Sequence, residues 1–238
     1  MTKKHIVAFS GGKDSAAMLL RMIELNMPID QILFCDTTKE FPQLLEYVKR
    51  MSDYTLKTIG VPVTWLKSTR TWDDWFYGGI TRGDRKGQIR GWPLMAFHCW
   101  WSRESKFKLM DPLSIGHERY LGFGANEVKR VKAGRKKEGY NFPLYDWNWT
   151  EAMALEYLEE KGWAEQCHRD FNRTGCYLCP KQGLPALKTL CKKYPNEWAE
   201  LMRYAKDAHD GSNYASNMFR PEIGYPELIE LEKECRKE

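Results

Sequence analysis

Residues 5–26 read HIVAFSGGKDSAAMLLRMIELN. HIVAF (5–9) is short, apolar and partly β-branched, the pattern of a buried strand. SGGKDS (10–15) interrupts it with two adjacent glycines. Residues 15–26, SAAMLLRMIELN, are strong helix formers stopped by Pro28. A strand, a glycine turn and a helix in that order make an anion cradle. Gly11 and Gly12 allow backbone angles that let successive N–H groups converge on one point. The helix then adds the positive end of its dipole. Lys13 supplies a full charge, and Ser10 and Ser15 supply hydroxyl donors. Asp14 is the odd member: it can cap the helix through backbone N–H groups or help hold Mg²⁺. An ordinary glycine turn would need none of these side chains. The Walker A spacing is absent.

Working outward, QILFCD (31–36) is a second strand, ending in TTKEFP (37–42), where the proline suits a helix start. A helix follows over about 42–58, with Leu44, Leu45, Val48 and Met51 at helical spacing. VPVTWLKS (61–68) gives a third strand, RYLGFG (119–124) a fourth and FPLYDW (142–147) a short fifth. Strands alternating with helices predict a doubly wound, mostly parallel α/β sheet. Residues 69–98, rich in Gly, Trp and Arg, read as an elaborated loop over the carboxyl edge. SRESKFKLM (102–110) reads as helix, and Thr150 caps another that runs to Lys161. Further helices are expected near 182–193, 196–208 and 225–237. The expected division is a nucleotide-binding α/β domain over 1–165 and a cysteine-bearing helical region over 166–238.

The 238 residues are 42% hydrophobic and 29% charged, with a net charge of +5. No apolar run approaches a membrane span, and the N-terminus lacks the pattern of a signal peptide. A cytoplasmic setting is expected, with the seven cysteines mostly reduced. Two basic runs, Arg82–Arg90 and Lys129–Lys137, look like surface loops. Each is either a solvated face or a contact for phosphate or nucleic acid.

SGGKDS after a first strand resembles the PP-loop of the adenine nucleotide α-hydrolase superfamily, which includes ATP pyrophosphatases and phosphoadenosine phosphosulfate reductases. FCDTTKEFPQLLEYV (34–48) resembles the reductase block after the second strand, with Thr38 where a glycine is usual. LGFGANEVKRV (121–131) and FPLYDW followed by TEAMALEYL resemble later blocks of the same family. The resemblance implies a five-stranded PP-loop sheet with an adenine nucleotide, ATP or an adenylyl sulfate, at its carboxyl edge with Mg²⁺. Phosphates would lie on Ser10, Gly11, Gly12, Lys13, Asp14 and Ser15. Asp36 and Thr37 would border the adenosine, Gly124 would also bind the nucleotide, and Arg130 would approach a phosphate. Lys13, Asp14 and Arg130 are the expected catalytic residues.

Cys176-Tyr-Leu-Cys179, after Arg173-Thr174-Gly175, is a CxxC knuckle that can grip half of a metal site. By resemblance Cys99 is the first further ligand, with Cys167 or Cys191 as the fourth. A [4Fe–4S] cluster is the leading reading, zinc the next; a redox pair or buried structural thiols is the plain alternative. Cys35 reads as core. The family's reactive cysteine sits in a Glu-Cys-Gly-Leu-His context, whereas this tail reads KECRKE, and ELIELEKECRKE suits a plain amphipathic helix. Trp72, Trp75, Trp92, Trp100 and Trp101 either wall the site or stack on bases; His98 reads as packing.

The leading expectation is therefore ATP cleavage at the α-phosphorus, with sulfur transfer to a nucleic acid or a small acceptor. The rivals are a phosphosulfate reductase releasing sulfite and a non-catalytic nucleotide- or nucleic-acid-binding module. A sulfur donor or a thioredoxin-like reductant would be a partner.

Overall fold

The computed structural model describes residues 2–95, 98–211 and 218–237. Among the described residues there are seven short strands: β1 (His5–Ala8), β2 (Gln31–Asp36), β3 (Val63–Lys67), β4 (Leu94–Met95), β5 (His98–Cys99), β6 (Glu118–Leu121) and β7 (Tyr140–Asn141). Five form one parallel sheet in the order β3-β2-β1-β6-β7. Ile6 of β1 stands opposite Gln31 on one side and Arg119 on the other. Ile6 and Val7 are completely buried, as a central parallel strand covered on both faces requires. This is the doubly wound α/β fold expected from the alternation of elements.

Helix α1 (Lys13–Glu24) follows β1 and carries Ala16, Ala17, Met18, Leu19 and Met22 with no exposed surface. It packs on the helix Glu151–Glu160, whose first turn is capped by the Thr150 hydroxyl accepting from Met153 N–H. Helix α2 (Pro42–Ile59) starts with proline, needing no donor there, and ends at Gly60 with φ 73°.

Two expected elements differ. FPLYDW is not a strand: Pro143–Asp146 is a helical turn with Pro143 at its first position, and the fifth strand is the preceding pair, Tyr140–Asn141. Proline has no N–H for a ladder but suits a helix start. The helix expected over 102–110 is interrupted: Trp100–Ser102 is α-helical, Arg103–Phe107 is a π-turn, and Lys108–Ser114 resumes the α-helix.

The chain divides into two compact units, each built from discontinuous segments. The first holds residues 1–36, 40–67 and 106–175, with the whole parallel sheet. The second holds Thr37–Lys39, Ser68–Ser105 and Cys176–Glu238. Residues 68–105 thus fall in the same unit as the C-terminal helices.

The second unit has its own aromatic core. Trp72, Phe76, Trp92, Trp101, Tyr204 and Phe219 are buried, with Phe76 and Tyr204 ring centroids 4.8 Å apart and Trp92 and Phe219 also 4.8 Å apart. Of the stretch 69–98 expected as a loop, Trp72, Phe76 and Trp92 are core residues, and residues 96–97 lie outside the described residues. Trp72, Trp92 and Trp101 wall the interior of that core. Trp75 and Trp100 lie nearer the surface under the guanidinium groups of Arg90 and Arg103. No helix among the described residues is long and apolar enough to cross a membrane.

Candidate nucleotide-phosphate site

The strand order places the site. From β1 the chain moves to β2 and β3 on one side, then crosses to β6 on the other. The carboxyl ends of β1 and β6 thus frame a topological switch point, where open α/β sheets bind ligands. SGGKDS leaves β1 at this point, and Gly122–Gly124 follow β6 there. Gly122 lets the two approach: a Cβ on it would stand 2.9 Å from Ser15 N and 3.0 Å from the Asp14 carbonyl carbon.

The loop is internally braced. Ser15 Oγ accepts from Ser10 N–H at 3.1 Å and donates to the Gly12 carbonyl at 3.0 Å. Ser10 Oγ lies 3.0 Å from Ser15 Oγ and accepts from Gly12 N–H at 3.3 Å. Gly11 has φ +75°, and a Cβ there would press Leu44 and Val48 at 3.0 Å. Its carbonyl accepts from His168 Nε2 at 2.8 Å, while His168 Nδ1 accepts from Glu165 N–H at 3.2 Å. This network assigns a neutral imidazole, and burial lowers its pKa in keeping with that assignment.

Helix α1 begins at Gly12 with no side-chain cap, and its first intrahelical bond is Ala16 N–H to the Gly12 carbonyl at 3.0 Å. The N–H groups of the first turn therefore have no intrahelical acceptor. Asp14 does not spend them: Gly12 is the N-cap, and Asp14 Oδ1 is buried without a partner. Desolvation raises the Asp14 carboxyl to about 6; Lys13 and Arg130 oppose the shift, and Glu151 and Glu127 add to it. A buried carboxylate oxygen with nothing to accept from fits Mg²⁺, which takes one or two carboxylates and completes its shell with phosphate and water.

Lys13 is 7% exposed. Its ammonium donates to the Asn172 carbonyl and, at 3.5 Å, to that of Phe171, and it lies 3.5 Å from Glu151 Oε2. Arg130, on the helix Val128–Gly134, pairs with Glu127 and lies 3.8 Å over the Phe123 ring. Glu127 also accepts from Gly124 N–H at 3.2 Å. The second basic run thus starts on a helix rather than in a loop. Asp36 lies at the end of β2, with Lys67 Nζ 3.5 Å away.

Ser10–Ser15, Asp36, Gly124 and Arg130 all belong to the first unit, and Thr37 to the second. There Trp101 Nε1 donates to the Thr37 carbonyl at 3.0 Å, and Trp72 N–H to Thr38 Oγ1 at 3.1 Å. Thr38 takes φ 63°, which explains why glycine is usual there. Tyr177 N–H donates to the Lys39 carbonyl at 2.9 Å, Lys39 Nζ to Glu200 at 2.6 Å, and Tyr177 Oη also to Glu200. Glu127, Glu151, His168, Gly122 and Asn172 also stand around the loop, and the sequence does not single them out. Only the packing of distant segments brings them to the loop.

The cysteines are less assembled. Cys176 and Cys179 share one turn, with Cys179 N–H donating to the Cys176 carbonyl at 3.1 Å. Cys99 lies in the same unit; Cys167 lies in the other. Cys167 is 1% exposed, and burial pushes its thiol up to about 12. The Cys191 thiol is raised to about 12 by burial and by a hydrogen bond with Cys235. Among the described residues no three of His, Cys, Asp or Glu come together to hold a metal. Cys35 is core, its thiol raised by burial to about 11.

Residues 4–71, from β1 through β3, match the phosphoadenosine phosphosulfate reductase domain. The matched stretch carries the SGGKDS loop and the first three strands of the sheet, and over that stretch the chain is similar to this family. Two uncharacterized proteins of Methanocaldococcus jannaschii are similar to it. One is 25% identical over 233 residues, covering 95% of this chain and 54% of the relative. The other is 24% identical over 225 residues, covering 87% and 43%. The chain spans about half the length of these curated relatives. Among solved structures, the U34-tRNA thiolase NcsA from Methanococcus maripaludis with its [4Fe-4S] cluster is similar at a TM-score of 0.45. It is 14% identical, with 86% of this chain and 71% of that one covered.

Proposed function

We propose that the chain binds ATP with its polyphosphate on Ser10–Ser15 and cleaves it at the α-phosphorus in a sulfur-transfer reaction. The observation that carries this reading is the uncapped first turn of α1 at the switch point, beside a buried lysine and an unpartnered aspartate. Uncapped helix amides, a lysine and nearby Arg130 offset the charge that develops on phosphate oxygens as pyrophosphate leaves. Ser15 and Ser10 hold the loop's shape, and His168 fixes the Gly11 carbonyl without adding charge. Mg²⁺ held by Asp14 would neutralise phosphate oxygens when bound.

An acceptor oxygen attacks the α-phosphorus to give an adenylate, and a sulfur nucleophile then displaces AMP. The exposed basic residues Lys129, Lys132, Lys136 and Lys137, on the same segment as Arg130, suit a nucleic-acid acceptor. With α-labelled ATP and Mg²⁺, AMP and pyrophosphate should appear in equal amounts when the acceptor is supplied. Tight binding without either product, across nucleic-acid and small acceptors, would leave a binding module instead.

The domain match favours a second reading, reduction of a phosphosulfate. Against it, Cys235 lies in the helix Tyr225–Lys237 and is hydrogen-bonded to Cys191. Sulfite release from an adenylyl sulfate would establish this second reaction.

A further inference from the structure

Beyond the loop itself, the segment Phe171–Gly175 comes up against it. Lys13 reaches the carbonyls of Phe171 and Asn172. The Phe171 ring packs 5.0 Å from that of Phe41, and Phe171 N–H donates to the Cys167 carbonyl at 3.2 Å. The segment is thus anchored at its start by a ring, a backbone bond and an ammonium. At its end, Thr174 Oγ1 stands 2.7 Å from the point where a Cβ of Gly12 would be, and Ser10 Oγ stands 3.4 Å from the same point. Two hydroxyls therefore flank the Gly12 backbone.

Among the described residues the Thr174 hydroxyl has no hydrogen-bond partner, and neighbouring Arg173 is exposed and forms no ion pair. A half-buried hydroxyl and an unpaired guanidinium beside a lysine-bearing loop are donors suited to an anion.

We propose that Thr174 is a phosphate-binding residue whose hydroxyl donates to an oxygen of the nucleotide polyphosphate, with Phe171–Gly175 as the strap that holds it over Gly12. The strap also fixes Lys13. Of the ammonium's three contacts, those to Phe171 and Glu151 are 3.5 Å long, so a phosphate oxygen can replace either while the Asn172 carbonyl keeps the group in place. Gly175 leads directly into Cys176, so the strap is also the covalent link between the loop's wall and the knuckle.

This inference rests on the PP-loop reading, and its test separates the two. Titration calorimetry with Mg-ATP, and separately with pyrophosphate, compares the wild type with Thr174→Val and Thr174→Ser. Valine keeps the shape and removes the donor; serine keeps the donor. Thr174→Val should weaken both ligands roughly tenfold or more, the worth of one hydrogen bond to a charged group. Thr174→Ser should stay within about twofold of the wild type, and all three melting temperatures should agree within a few degrees. Equal affinity in wild type and Thr174→Val overturns the proposal and leaves the loop reading standing. Equal weakening in both variants also overturns it, because packing rather than the hydroxyl would then be at work. A wild type that binds neither ligand overturns the loop reading and this inference with it.

Discussion

Asp14 is the residue whose chemistry can be read most directly. Its carboxyl is raised to about 6, so between about pH 4 and 6 the folded chain holds a proton that the unfolded chain has lost. Stability therefore falls as pH rises through that window, and the penalty is complete above it. At about 1.4 kcal/mol per pH unit, the cost is on the order of 2–3 kcal/mol. In metal-free protein, Asp14→Asn should raise stability by about that much at pH 7.5 and leave it unchanged near pH 4, measured by urea unfolding. A variant no more stable at pH 7.5 would show that the carboxylate is not strained. Lys13→Ala should weaken ATP binding by about 1.5–3 kcal/mol.

The knuckle is tested at the same scale. Cys99, Cys176 and Cys179 are the expected metal-binding thiols that share a unit. If a metal is held there, iron or zinc per chain should fall at least twofold in Cys176→Ala after anaerobic purification. An unchanged content would assign the turn a structural role.

At the scale of elements, the loop between β1 and α1 was legible because its chemistry is local. Two adjacent glycines between an apolar strand and a run of helix formers define the backbone of the turn within six residues. The strand misplaced at 142–147 shows the converse. FPLYDW has the composition of a strand, and only the proline's missing donor tells against it; Tyr140–Asn141 is too short to announce itself.

The strap was invisible for another reason. Nothing in NRTG says that it lies on residues 11–13, more than 150 positions earlier. The contact is nevertheless specific. Gly12→Ala would place a methyl 2.7 Å from Thr174 Oγ1, and that clash should cost about 1–3 kcal/mol. Thr174→Ala should relieve much of it in a double-mutant cycle; purely additive effects would deny the contact.

On the scale of the whole molecule, the two units exchange chain five times, at 36/37, 39/40, 67/68, 105/106 and 175/176. Neither is a continuous stretch, and a discontinuous unit leaves no single boundary for a sequence to mark. The aromatic core draws on Trp72, Phe76, Trp92 and Trp101 and on Tyr204 and Phe219 alike. A fragment ending at Gly175 removes Tyr204 and Phe219 from that core and strands Trp72, Trp92 and Trp101. Its tryptophan emission should shift to the red and it should bind a hydrophobic dye, whereas native-like emission would refute the shared core.

The account depends most on N–H groups at the start of α1 meeting a polyphosphate, and amide NMR resolves them one by one. On titration of labelled protein with Mg-ATP, the amides of Gly11, Gly12, Lys13 and Asp14 should show the largest saturable shifts, with smaller ones at Gly122–Gly124. If saturating nucleotide leaves residues 10–15 unmoved while shifting amides elsewhere, or shifts none at all, the phosphate site is not where the fold puts it.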